Sequence, residues 1–86
     1  MYRIGFPLWR QAALLGVPLS LRVDVVRDDD AKVYVATSED LRGLVCEAST
    51  LDDLRREVEG AVMELLAFYL KKQVSPPVTE LRLRAA

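Results

Sequence analysis

The stretch VYVATSEDLRGLVCEASTLDDL, residues 33–54, decides the fold, because it runs from a strand through a turn and a second strand into a helix. Residues 33–38 predict one strand, and residues 44–48 predict a shorter one. Residues 39–43 form the turn between them, where Gly43 is free to take a positive φ. This region therefore predicts a domain that combines a sheet with a helix.

The helix that follows is the clearest element of the sequence. Thr50 precedes it, and Asp53 three residues later completes a pattern close to a capping box. Apolar residues then recur at intervals of three and four, which gives the helix one apolar side. They are Leu51, Leu54, Val58, Ala61, Val62, Leu65, Leu66 and Tyr69. Acidic residues early in the helix and Lys71 with Lys72 late complement its dipole, and residues 75–77, Ser-Pro-Pro, end it.

Strands with alternating side chains flank this region on both sides. In Leu19–Arg27 the odd-numbered positions from 19 to 25 are apolar and face one way. Asp28–Asp30 predicts the hairpin turn that follows, because short acidic side chains favour turns. A calcium site is the less favoured interpretation of this acidic run, since it lacks the glycine and the terminal glutamate of a calcium loop. Val78–Arg84 alternates in the same way, and its charged side chains suit an exposed sheet edge.

The N-terminal residues predict a short apolar helix over Pro7–Leu15. Pro7 suits the first turn, where its missing N–H costs nothing, and Gly16 followed by Pro18 stops the helix. A helix this short and apolar must dock on something, and docking on its own domain is favoured over docking on a partner.

The order of these elements predicts an α+β fold, a β-β-β-α-β two-layer sandwich with a short N-terminal helix. The three strands run up, down and up, so a helix that returns along the sheet places the fourth strand parallel to the first. A right-handed crossover then favours the strand order 3-2-1-4. The long helix covers one face of the sheet, and the other face is bare unless the N-terminal helix or another subunit covers it. We divide the chain into an N-terminal apolar helical segment, residues 1–18, and a core domain, residues 19–86.

Composition excludes several classes of function. The chain has 86 residues, 12 Lys and Arg against 13 Asp and Glu, a formal net charge of -1, no His and one Cys. Without His there is no His/Cys zinc site, Ser-His-Asp triad or Cys-His dyad, so we expect neither an enzyme nor a cofactor. A single thiol forms no internal disulfide, and we expect Cys46 to be buried apolar filler in a cytoplasmic protein. No apolar run approaches the ~20 residues of a membrane span.

Two further functions are disfavoured by the side chains available for them. The near-neutral charge argues against direct nucleic-acid binding, although four residues could make a small basic patch. They are Lys71, Lys72, Arg82 and Arg84. Four carboxylates could in principle gather around a divalent metal for phosphodiester cleavage, but a solvated surface explains them better. They are Asp24, Asp40, Glu47 and Glu57.

The stretch at residues 33–54 resembles the core of HicB-like antitoxin domains. In that family a strand leads into a D-L-x-G turn, followed by a short strand, a T-L-x-x-L helix start and a long apolar-striped helix. Asp40, Leu41 and Gly43 match the turn, and Thr50, Leu51 and Leu54 match the helix start. The resemblance covers residues 19–84, and Arg42 stands where the family usually has proline.

The resemblance implies a partial ribonuclease-H-like fold without that enzyme's catalytic residues. It also implies an antitoxin that binds and neutralises a small ribonuclease toxin, itself of double-stranded-RNA-binding-like fold. Family members often carry a C-terminal DNA-binding segment, and we expect none here, since only two alanines follow Arg84. Such a role needs apolar anchors and charges complementary to a basic RNA-binding surface, and a slightly acidic chain fits a small basic partner.

Candidate contacts with a partner are Trp9, Tyr34, Arg82 and Arg84. Each also has a structural explanation, since the two aromatic residues fit a core and the two arginines fit a solvated edge. Two edge strands and a bare sheet face favour a homodimer. The alternative to an antitoxin is a self-associating structural domain that has no toxin partner.

Overall fold

A computed structural model of the chain describes residues 1–71 and 75–84. Five strands and two helices follow one another along these residues. They are β1 (Tyr2–Arg3), α1 (Trp9–Leu14), β2 (Leu19–Asp28), β3 (Val33–Thr37), β4 (Val45–Ala48), α2 (Leu51–Leu70) and β5 (Val78–Arg84). The expected α+β sandwich is confirmed, because one mixed sheet lies against one long helix.

The centre of the sheet is β2. Its neighbour β3 pairs with it antiparallel, and β4 pairs antiparallel with β3. On the other edge of β2 lies β5, which runs parallel to β2 with Val23 opposite Leu81. The resulting order, β4-β3-β2-β5, confirms the predicted order 3-2-1-4 of the four strands identified from the sequence. Because β2, β3 and β4 alternate in direction and α2 carries the chain back along the sheet, β5 runs parallel to β2.

The N-terminal residues add a strand that the sequence did not predict. The backbone N–H groups of Tyr2 and Ile4 donate to the carbonyl oxygens of Pro18 and Ser20 at 2.8 and 2.7 Å. The hydroxyl group of Ser38, just after β3, donates a hydrogen bond to the carbonyl oxygen of Arg22. Alternate residues of a strand point their backbone groups to one edge, so β1 continues the β3 side of β2.

The predicted N-terminal helix is shorter than Pro7–Leu15. It begins at Trp9 and ends at Leu14. Leu8 has a φ of 68°, which lies in the left-handed region, so the regular right-handed helix cannot extend back to Pro7.

The long helix α2 also ends earlier than the prolines predict. Its last residue is Leu70, and Lys71 follows it with a φ of 56°, outside the helix. Lys71 is therefore not in the last helical turn, and Lys72 lies outside the described residues. At the other end, the Thr50 hydroxyl accepts the Asp53 N–H at 3.1 Å, which confirms the predicted cap.

The core lies between α2 and one face of the sheet. Val58 and Leu66 of α2 are fully buried, and they belong to one apolar cluster with Val23 and Val25 of β2. Ile4 is also fully buried in this cluster, so the N-terminal segment contributes to the same core. The predicted apolar side of the helix is confirmed except at its first member, Leu51, which is exposed.

The opposite face of the sheet is open among the described residues. Arg22 and Asp24 of β2 and Arg82 of β5 lie on it. The helix α1 does not cover this face, because the Trp9 ring contacts the Tyr69 ring of α2 on the other side of the sheet, with ring centroids 6.2 Å apart. No helix of the described part of the chain has the length and hydropathy to cross a membrane.

Candidate functional site

The sheet ends in two free edges. Among residues 1–71 and 75–84, β4 pairs only with β3 and β5 pairs only with β2, so the outer side of each of these two strands is unpaired. An edge strand presents backbone N–H and C=O groups that can pair with another chain. The side chains beside the two edges differ, and they define what each edge can bind.

The side of α2 next to β4 is acidic. Tyr69 of α2 donates a hydrogen bond to the carbonyl oxygen of Arg42, just before β4, at 3.2 Å, which fixes how the helix lies over this strand. Asp53, Glu57 and Glu64 are separated by four and seven residues, so they share one side of the helix.

Glu57 identifies the side of α2 that lies next to β4. Burial raises the pKa of the Cys46 thiol, and the nearby Glu57 carboxylate raises that pKa further. Leu65, two helical turns after Glu57 on the same side of α2, lies against Gly43 just before β4, so Glu57 is on the side of the helix next to β4. Cys46 itself is a buried free thiol, which confirms its predicted role as apolar filler.

The open face of β4 adds one more carboxylate and an apolar side chain. Glu47 and Val45 point there, and Val45 is 70% exposed. One helical turn after Glu64, Phe68 is 74% exposed on the acidic side of α2. We call β4 with these side chains the acidic edge. Its side chains are Val45, Glu47, Asp53, Glu57, Glu64 and Phe68.

Most carboxylates of the acidic edge are available for a partner. Within residues 1–71 and 75–84, Glu47, Glu57 and Glu64 form no salt bridge with any lysine or arginine. Asp53 has Arg56 at 3.5 Å, a contact between two exposed side chains that solvent screens. The acidic edge can therefore attract positive charge.

The edge at β5 carries both signs of charge and apolar side chains. Glu80 has Arg82 at 3.1 Å and Arg22 of β2 at 3.6 Å, and Arg84 has Asp24 at 2.8 Å. These side chains lie on the open face. On the face toward α2, Leu83 is 65% exposed.

A groove separates β5 from α2 on the helix side of the sheet. Its volume is about 630 Å³, and its apolar lining includes Val62, Met63 and Pro77. Thr79 of β5 forms part of its rim. The remaining lining residues are Arg55, Arg56, Glu59, Gly60 and Pro76. The helix therefore does not close over the first half of β5.

Asp40 fastens β1 and the turn before β4 to the central strand. Its carboxylate accepts hydrogen bonds from Nε and Nη2 of Arg3 at 2.9 and 3.0 Å and from the backbone N–H of Arg22 at 3.0 Å. The hydrogen bond to Asp40 raises the pKa of the Arg3 guanidinium above its ordinary value. Asp40 therefore has a structural role, because it links Arg3 of β1 to Arg22 of β2.

The four residues predicted to contact a partner do not form one surface. Arg82 and Arg84 lie together on the open face of β5. Tyr34 and Trp9 lie on the helix side, packed against the core. Tyr34 is opposite Ala48, near the start of α2, whereas Trp9 contacts the last turn of that helix. Their role at an interface stays a prediction.

The carboxylates considered for a metal site are also apart. Asp24 is bound by Arg84, and Asp40 is bound by Arg3. Glu47 and Glu57 flank β4 on opposite faces of the sheet. No group of three or more Cys, Asp or Glu side chains in the described part of the chain is placed to hold a metal ion.

Sequence reasoning missed the two features that distinguish the edges. The acidic edge combines residues from β4 and α2, and only the packing of the helix brings them together. At β5 the sequence does contain a relevant pattern, because residues of opposite charge, Glu80 and Arg82, stand on either side of Leu81. That symmetry has meaning only once β5 is known to be an edge.

The fold and its edges define a small α+β domain in which one helix lies on a mixed sheet with a free strand on each side. The chain belongs to the family described as the domain of unknown function DUF1902, whose model matches residues 20–86. It is similar to the hypothetical protein TTHA1013 of the extremely thermophilic bacterium Thermus thermophilus. The two are 37% identical, with a TM-score of 0.59 over 78% of this chain and 92% of that one. No curated protein matches the chain.

Proposed function

We propose that this chain is an antitoxin-type binding module that neutralises a small basic ribonuclease through its acidic edge. The observation that carries this proposal is the free strand β4 with carboxylates on both of its faces, Glu47 on one and Glu57 on the other. A surface that binds RNA must be basic, so an acidic protein surface of matching shape competes with RNA for it.

The acidic edge offers the partner three kinds of contact. The backbone of β4 can add a strand from the partner by hydrogen bonding. Exposed Val45 and Phe68 can enter apolar pockets, and buried aromatic side chains often carry much of the binding energy of an interface. The carboxylates then orient the basic partner and speed its association.

The resemblance to HicB-like antitoxins supports the same role. The turn of this chain that matches the family contains Asp40, which holds β1 and β2 together, and Leu41, which is 1% exposed. Its matching helix start contains Thr50, which caps α2. The turn and the helix start lie directly before and after β4. They therefore shape the edge that we assign to the partner. This role places the chain in the cytoplasm, where a lone thiol stays reduced.

The test uses growth arrest by a toxin. Each gene adjacent to this one that encodes a small basic protein is expressed in a bacterial host, with and without the present chain. We expect one such protein to arrest growth by degrading RNA and the present chain to restore growth. The proposal is wrong if no adjacent gene product arrests growth, or if the arrest persists when this chain is co-expressed.

A matched pair of charge reversals locates the surface. Glu57→Lys places a positive charge on the acidic edge, and we expect it to weaken binding of the toxin by ~10-fold or more, because like charges then face each other. Glu59→Lys makes the same change on the same helix but on the β5 side. Calorimetric titration should show near-native affinity for this control. Equal effects of the two variants would contradict the assignment of the surface.

A further inference from the structure

The outer edge of β5 presents a defined set of backbone groups. The even-numbered residues of β2 point their backbone groups toward β1 and β3, as the bonds to the carbonyl oxygens of Ser20 and Arg22 show. The odd-numbered residues of β2 therefore bond to β5. In a parallel pair each residue bonds to the two residues beside its partner, so Val23 bonds to residues 80 and 82. The N–H and C=O groups of Leu81 consequently point away from the sheet, toward the free edge.

The sequence of β5 is complementary to itself around Leu81. In an antiparallel pair of two β5 strands centred on this residue, Leu81 lies opposite its own copy and Glu80 lies opposite Arg82. The two-fold axis repeats the Glu80–Arg82 pair on the open face. On the helix face Thr79 lies opposite Leu83. Both faces of the strand therefore gain favourable neighbours in this one register.

Other centres of symmetry are less favourable. Opposite residues of an antiparallel pair share a face, so the axis must pass through a residue. An axis through Glu80 or through Arg82 places that residue against its own charge. An axis through Leu83 places Arg82 opposite Arg84. An axis through Thr79 places Pro77, which lacks an N–H, opposite Leu81. Among the registers centred on residues 79 to 83, only the one centred on Leu81 avoids all of these conflicts.

The α2–β5 groove gives independent support for this register. Thr79 stands at its rim, and the groove is lined by Val62 and Met63. The pairing places the partner's Leu83 directly opposite Thr79 on the same face. Leu83 is 65% exposed in the single chain, so its apolar side chain can fill the groove of the other copy.

We propose that two copies of this chain form a two-fold symmetric dimer in which their β5 strands pair antiparallel around Leu81. The two sheets then continue into one, and the partner's Leu83 enters the groove beside Thr79. The inference does not rest on the proposed antitoxin role, because the acidic edge lies at the other side of the sheet.

Sedimentation equilibrium of the full chain tests the dimer. We expect the natural chain to be dimeric at about 100 µM and Leu83→Lys to raise the dissociation constant at least tenfold, because a lysine replaces the side chain that fills the groove. Circular dichroism checks that Leu83→Lys keeps its fold, which the exposure of Leu83 favours. A natural chain that stays monomeric at this concentration, or a dimer that Leu83→Lys leaves unchanged, would overturn the proposal.

Val78 tests the register with a matched pair of variants. The proposed pairing places Val78 opposite Arg84 of the partner, and Val78 is 55% exposed in the single chain. We expect Val78→Glu to keep or tighten the dimer and Val78→Lys to weaken it, with dissociation constants at least ~5-fold apart. Equal dissociation constants for the two variants would contradict the register even if Leu83→Lys proved unsuitable for measurement.

Discussion

Ile4 tests whether the N-terminal segment is part of the folded domain. Its side chain is 0% exposed and belongs to the cluster that contains Val23 and Leu66. Its backbone N–H donates to Ser20 at 2.7 Å. Ile4 lies before residue 20, where the match to the family model begins, so only the structure assigns it to the core.

The expected loss of stability for Ile4→Ala follows from this complete burial. Truncation of a buried isoleucine to alanine lowers the free energy of unfolding by ~2–5 kcal/mol, because apolar contact is lost and a cavity remains. A domain of this size typically has a total of ~5–15 kcal/mol. Since 1 kcal/mol shifts the Tm of such a domain by ~4–8 °C, the lower bound corresponds to a fall of at least ~8 °C.

The measurement is thermal and urea denaturation followed by circular dichroism. Leu15→Ala is the control, because Leu15 has the same size and lies in the same segment but is 83% exposed. We expect this control to change the free energy of unfolding by less than ~0.5 kcal/mol. If Ile4→Ala shifts the midpoint no more than Leu15→Ala does, the N-terminal segment is not packed in the core and the reasoning fails.

Four further substitutions test local features of the fold. Thr50→Ala should lower stability by ~1 kcal/mol in urea denaturation, because the Asp53 N–H loses its acceptor. Gly43→Ala should cost more than ~1 kcal/mol, since φ is 93° at Gly43, whereas Gly60→Ala, in open space on α2, should raise stability by ~0.5–1 kcal/mol. Burial raises the pKa of the Cys46 thiol above its ordinary value of 9.0, so the folded state favours the neutral thiol. The stability that this preference contributes is fully present below pH 9.0 and is lost as the pH rises toward the pKa of the folded state. Urea midpoints between pH 8 and 11 should therefore fall less steeply in Cys46→Ala than in the natural chain, and parallel curves would contradict this.

Periodicity predicted the elements that are long enough to show it. The alternation in Leu19–Arg27 and Val78–Arg84 and the apolar side of α2 identified both strands and the helix, and chain connectivity then gave the strand order. Tyr2–Arg3 could not be predicted in this way, because two residues show no period. The start of α1 was wrong because Pro7 is a local signal, whereas the left-handed backbone of Leu8 follows from the tertiary fold.

The candidate interfaces depend on contacts that the sequence does not contain. The single residues chosen from the sequence were aromatic or basic, since such residues are common at interfaces. The packing of α2 instead places Glu57 beside Cys46 and leaves Leu83 uncovered. Arg82 and Arg84 alone among the chosen residues belong to the proposed dimer contact. A residue type can thus indicate a role at an interface, but the edge to which it belongs follows only from the sheet order.

The strand order keeps the two proposed interfaces apart. With β5 at the dimer axis, the joined sheet runs β4-β3-β2-β5 in one copy and β5-β2-β3-β4 in the other, so an acidic edge stands at each end. Each dimer can therefore bind two basic partners without contact between them. Leu83→Lys should then separate the copies while the affinity of each chain for its partner stays within ~2-fold of the natural value in calorimetry. A large loss of affinity in this variant would mean that the partner contacts both copies, and the acidic edge alone would no longer account for binding.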